Sequence, residues 1–215
     1  MAASRGRGPR VLLTGFGPFP GAPVNPTEAL VADLADAPPR FDVPCTLRMA
    51  VLDVDYATIA TQLSAIGNDF SPDIAIHFGL AAECCGFRLE RLARNSHAGA
   101  RPDQAGGLPA SERICAGPPT LSSSLPLDAI AKALGEHDLP VEWSDDAGGY
   151  LCNTVFVLSR AGACDGLDPA MSGFVHVPMA GEGPQFRLAP AALRQGACVI
   201  VQTCLRQWAS GRNAS

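Results

Sequence analysis

Two short apolar runs, each carrying a glycine at its exit, constrain this chain more than any other feature. Arg10-Val-Leu-Leu-Thr-Gly-Phe16 and Pro72-Asp-Ile-Ala-Ile-His-Phe-Gly79 are too short for helices and too uniformly apolar for half-exposed strands. Such runs belong in a sheet covered on both faces. A helix start lies between them at Asn25-Pro26-Thr27-Glu28, with Asn at the cap, Pro at the first helical position and Glu where a capping box places it. Leu30, Val31 and Leu34 then face inward. Residues 43–52 read as a strand and 54–66 as a helix, with Ile59, Leu63 and Ile66 on one face. Strand, helix, strand, helix, strand is the order of a mainly parallel sheet between helical layers.

The remainder fits the same plan. Phe87 to Asn95 alternates apolar and polar residues like an exposed or half-buried strand. Residues 96–120 are rich in Gly, Pro, Ala and Ser and read as one long loop, a common form for a lid or binding segment. A helix from Leu125 to Leu134, a brief strand from Val141 to Ser144 and a strand from Ser172 to Pro178 follow. A last helix carries Leu193, Ala197, Ile200, Val201, Cys204, Leu205 and Trp208 on one stripe. The 215 residues hold no internal repeat and no linker. The expectation is one α/β domain over residues 10–210, after a disordered start at 1–9 that includes Arg5 and Arg7. A net charge of −5 gives no basic footprint for nucleic acid. Residues 1–10 do not read as a secretory signal, and no apolar run approaches membrane-spanning length. The eight cysteines form no Cys-x-x-Cys pair, so they read as reduced thiols of a cytoplasmic protein.

Chemistry concentrates in Asp146-Ala-Gly-Gly-Tyr-Leu-Cys-Asn-Thr-Val-Phe156. Leu151, Val155 and Leu158 recur at i, i+4 and i+7, which places Cys152 in the first turn of a helix entered through a glycine bend. A thiol there feels the positive end of the helix dipole, which favours its thiolate and suits it to act as a nucleophile. A cysteine hydrolase also needs a histidine to move the proton and a group to hold the ring's other nitrogen. His176, at the carboxyl end of a strand, fits the first role, because sites in open α/β sheets gather at that edge. Glu90 and Asp146 both remain candidates for the second. His77 lies inside an apolar run and reads as a hydrogen-bonded core histidine. His97 and His137 sit in polar segments without metal-ligand spacing. The loop Gly15-Phe16-Gly17-Pro18-Phe19-Pro20 lacks a third glycine and does not open directly onto a helix. It is a poor phosphate cradle, but its two phenylalanines suit the apolar wall of a small pocket, which Asn25 is placed to brace.

Five motifs in order resemble the pyroglutamyl peptidase I (pyrrolidone-carboxylate peptidase) family of cysteine peptidases. They are Thr14-Gly15-Phe16-Gly17-Pro18-Phe19, Asn25-Pro26-Thr27, Glu90-Arg91-Leu92-Ala93-Arg94-Asn95, Gly148-Gly149-Tyr150-Leu151-Cys152-Asn153 and Gly173-Phe174-Val175-His176-Val177-Pro178. The resemblance implies a single three-layer α/β/α domain with a mainly parallel mixed sheet, of the phosphorylase/hydrolase-like kind. It implies Cys152 as nucleophile, His176 as base and acid, and Glu90 rather than Asp146 as the orienting carboxylate. Phe16, Phe19 and Arg101 are then the expected substrate contacts. The implied activity is removal of an amino-terminal pyroglutamyl residue from peptides, without metal or cofactor, by a homotetramer. The 96–120 segment and Cys84-Cys85 depart from the family's pattern near the expected pocket mouth. The alternatives are the same triad acting on another amino-terminal lactam or acyl group, and a catalytically silent binder of pyroglutamyl peptides.

Overall fold

The computed structural model describes residues 8–213. Five strands lie mostly as the apolar runs require: β1 (Arg10–Phe16), β2 (Thr46–Leu52), β3 (Ile74–Leu80), β7 (Val141–Ser144) and β8 (Met171–Val177). The alternating stretch from Phe87 to Asn95 is not one strand. It divides at Arg91 into β4 (Phe87–Glu90), which enters the main sheet, and β5 (Leu92–Arg94), which pairs antiparallel with β6 (Thr120–Ser122). The break has a cause in the backbone: the Arg91 N–H donates to Ser144 O on one side, and its carbonyl accepts from Ser123 N on the other. Its side chain stays out in water, paired with Asp145. β4 is also more buried than its alternation suggests, because Phe87, Leu89 and Glu90 are all sealed from solvent.

The six-stranded sheet runs β2-β1-β3-β8-β4-β7, and only the β8–β4 pairing is antiparallel. The pleat sends alternate residues to two separate cores. Val11, Leu13, Ile74, Ile76, Phe78 and Val175 face one core. There they meet α1 (Pro26–Asp36), α3 (Leu127–Gly135) and α5 (Pro190–Asn213). Leu12, Ala75 and Phe174 face the other, against α2 (Ile59–Phe70) and α4 (Leu151–Arg160). The result is the expected α/β architecture, helices on both faces of a mainly parallel mixed sheet.

The caps behave as read at α1, where the Asn25 side chain accepts from Thr27 N. Helix α2 corrects the reading, beginning at Ile59 rather than residue 54. The Asp55 carboxylate accepts from the N–H groups of Ala57 and Thr58, which holds that stretch as a turn. The helix then runs on to Phe70 and stops where Ser71 takes a left-handed conformation. Of the expected loose start, residues 1–7, with Arg5 and Arg7, lie outside the described residues, while Pro9 accepts from Thr46 N. Among the described residues no helix is long and apolar enough to cross a membrane.

Candidate active site

Three glycine positions open the carboxyl edge of the sheet. A Cβ at Gly15 would meet Thr27 O at 2.3 Å, so the exit of β1 and the start of α1 approach as only glycine allows. Phe16 N then donates to Thr27 Oγ1, and Asn25 Nδ2 donates to Gly17 O, which fixes the phenylalanine loop as anticipated. At the exit of β3, a Cβ on Gly79 would come within 2.8 Å of Cys152 Sγ and 2.7 Å of the Phe174 ring. Gly148 turns at a φ of 81°, and a Cβ on Gly149 would run into Ala98 O. The chain thus enters α4 tightly against the 96–120 segment.

Cys152 is the second residue of α4, after Tyr150 at the cap and Leu151. The stripe behind it is buried, with Leu151, Val155 and Leu158 all in the core. Asn153 locks that first turn in place, accepting from Arg94 N and donating to the carbonyls of Arg94 and Ser96. Cys152 is half-buried and, with His176, lines a cavity of about 450 Å³, where its sulfur is close enough to the imidazole to act on its charge. His176 is fixed by its other nitrogen, because Nδ1–H donates to Glu90 Oε1 at 2.8 Å. That bond joins residues 86 apart in sequence, through the antiparallel pairing of β4 with β8.

Glu90 is fully buried, and its Oε2 has no hydrogen-bond partner among the described residues. The imidazole of His176 is therefore the side-chain partner that its carboxyl group has. Burial works to lower the pKa of His176, but the Cys152 sulfur, as charge and as hydrogen-bond partner, and then Glu90 outweigh it and raise the value to about 9. His176 thus stands between a sulfur and a buried carboxyl group, both of which favour its protonated form.

The other candidates are placed as follows. Phe16 and Phe19 both line the cavity, as do Ala22 and Val54. Arg101 lies at its mouth, the guanidinium 4.4 Å from the Tyr150 ring centroid and 5.5 Å from that of Phe19. Asp146 does not reach His176. Its carboxylate accepts from Gly148 N and pairs with Arg94 at 3.1 Å. His77 is fully buried, hydrogen-bonded to Thr14 Oγ1 at 2.8 Å, and burial lowers its pKa to about 3, which leaves it neutral. His97 and His137 donate to the carbonyls of Ser111 and Ala133. No group of three or more metal-ligating side chains occurs among the described residues.

Sequence reasoning missed two residues at this site. The sequence singles out neither Glu83 nor Arg88, yet both line the cavity and pair at 2.7 Å. Their place follows from the β4–β8 register, in which Arg88 stands directly across from His176, and no sequence signal marks it.

Residues 9–186 match the family model described as pyroglutamyl peptidase. Among curated proteins, the pyrrolidone-carboxylate peptidase of Pyrococcus furiosus is 40% identical over 170 residues, covering 79% of this chain and 80% of that relative. The protein of the same name from Vibrio vulnificus is 34% identical over 208 residues, covering 91% and 92%. Among solved structures, the pyrrolidone carboxyl peptidase of Pyrococcus furiosus superposes with a TM-score of 0.83 at 32% identity, covering 92% of this chain and 99% of that one.

Proposed function

The chain belongs to the pyroglutamyl peptidase family, and on that premise we infer that it removes an amino-terminal pyroglutamyl residue from peptides through a thioester on Cys152. The observation that carries this reading is the convergence of Cys152, His176 and Glu90, with His176 bonded to Glu90, at a cavity that Phe16 and Phe19 also line.

The Cys152 thiolate attacks the carbonyl that joins pyroglutamate to the next residue, forming the carbon–sulfur bond. The oxyanion that develops meets the backbone N–H of Cys152, one of the first-turn donors a helix leaves without an internal partner. His176 gives its proton to the departing amine as the carbon–nitrogen bond breaks. It then takes a proton from water, which attacks the thioester, and free pyroglutamate and the thiolate are restored. Glu90 accepts from Nδ1–H, which leaves Nε2 to give and take the proton on the side of the sulfur, and balances the imidazolium.

The cavity walls suit the lactam ring. It is flat and uncharged, apolar on its faces, with one N–H and one carbonyl at its edge. Phe16 and Phe19 supply apolar walls that ask for no counter-charge. An open glutamine or glutamate would bring a charged amine into that space at a desolvation cost of several kcal/mol, on the order expected for an unpaired buried charge. The same reading takes the molecule as a single cytoplasmic domain, assembled as a homotetramer and working without metal or cofactor. Light scattering on the purified protein tests the assembly.

The experiment for the activity is hydrolysis of a pyroglutamyl-anilide reporter under reducing conditions. Release of the anilide by the wild type, and none by Cys152→Ala, is the expected result. No release by the wild type, or full rate in Cys152→Ala, overturns the reading.

A further inference from the structure

The wall of the cavity nearest His176 is charged, and the proposed chemistry does not use that charge. Glu83 sits three residues past the exit of β3, with its carboxylate 70% exposed. Its own backbone N–H and the Arg88 guanidinium hold its carboxyl below the usual range, and the charge of His176 adds to the effect. Arg88 does not neutralise it fully. The one guanidinium is shared, Nη1 with Glu83 at 2.7 Å and Nε with Glu142 at 3.0 Å, so two carboxylates face a single cation. Asp146 lines the same cavity with its charge paired to Arg94, while Arg101 is stacked over Phe19 and Tyr150.

His176 defines which part of a substrate meets this wall. The amine it protonates belongs to the residue after pyroglutamate, so that residue begins beside His176 and extends away from the phenylalanine walls. Glu83 is the exposed carboxylate on that side, close enough to the imidazolium to feel its charge. We propose that Glu83 is a specificity-determining residue, which selects peptides carrying a cationic side chain immediately after the pyroglutamyl residue. The proposal rests on the peptidase reading above and adds a substrate class to it.

The test compares kcat/KM for three amidated peptides, pyroglutamyl-Lys, pyroglutamyl-Ala and pyroglutamyl-Glu, in wild type and Glu83→Gln. Attraction in one case and repulsion in the other give an expected lysine-to-glutamate ratio of roughly fivefold or more at low salt. Glu83→Gln should cut that ratio to about half or less, since Asp146 and Glu142 remain. Because the ratio is internal to each protein, a general loss of rate in the variant does not obscure it. Should the variant fail to fold, the wild type alone decides, since an exposed charge contact is screened at about 0.5 M salt and the ratio must fall there. A ratio near one, a preference for glutamate, a ratio indifferent to salt, or one unchanged in Glu83→Gln overturns the proposal. Cleavage of all three peptides at equal rates defeats the subsite only, whereas cleavage of none defeats the peptidase reading itself.

Discussion

Two buried histidines lie on either side of one phenylalanine and carry opposite charge states. The Phe174 ring is 6.4 Å from His77 and 4.8 Å from His176, centroid to centroid. Both imidazoles are almost sealed from water, on the same face of the sheet. His77 meets a threonine hydroxyl, and burial lowers its pKa to about 3. His176 meets a carboxylate and a sulfur, and its pKa rises to about 9 in spite of burial. Burial by itself therefore does not decide whether a core histidine is charged. The charge on the hydrogen-bond partner does, and this separates a structural imidazole from one able to shuttle a proton.

The largest way to break the comparison is to remove each ring in turn. His176→Ala should lower turnover of a pyroglutamyl reporter by roughly 10⁴-fold, the scale of losing a member of a concerted catalytic set. His77→Leu should leave turnover within a few-fold. Equal losses in steady-state rates would erase the distinction. Glu90→Gln comes next, at about 10²-fold, since it removes a charge that orients and polarises but does not react. In the wild type, kcat/KM should decline as pH rises through about 9 and the imidazolium loses its proton. Glu90→Gln should move that limb to lower pH, and an unmoved limb in the pH–rate profile would show that Glu90 does not set the charge of His176.

Smaller effects sharpen the picture. Gly79→Ala places a methyl 2.8 Å from the sulfur and 2.7 Å from Phe174. A displacement below 1 Å at the nucleophile should cost roughly tenfold or more in kcat, while overpacking lowers stability by about 1–3 kcal/mol. Urea unfolding and single-turnover rates separate the two. The last effect is read in stability alone, through its dependence on pH. His77 has a lowered folded pKa, so its contribution is whole above the ordinary value of 6.5 and is lost as pH falls from there toward about 3. His176 has a raised one, so its contribution is whole below 6.5 and is lost as pH rises toward about 9. Melting temperature should fall on both sides of that value, and His77→Leu should flatten the acid side only.

Much of this was legible in the sequence because it is local. The Asn25-Pro26 cap, the glycines beside Cys152 and the stripe of α5 each rest on neighbours within a few residues. Three features were not legible, each for a physical reason. Asp55 captures two backbone N–H groups and delays α2 by one turn, a competition that helical periodicity does not record. The choice of Glu90 over Asp146 depends on β4 turning antiparallel beside β8, and neither spacing nor composition encodes that pairing. Arg88 reaches the cavity through that same pairing, and Glu83 meets it there by an ion pair between a loop and a strand.

The most direct measurement is the intact mass of the protein, quenched in acid during turnover of a pyroglutamyl peptide, with the modified peptide then mapped. The expected result is a gain of one pyroglutamyl group, carried by Cys152 as a thioester and absent in Cys152→Ala. Turnover with no such adduct when thioester hydrolysis is slowed by low pH, or an adduct on any other residue, would contradict the assignment of that sulfur as the nucleophile.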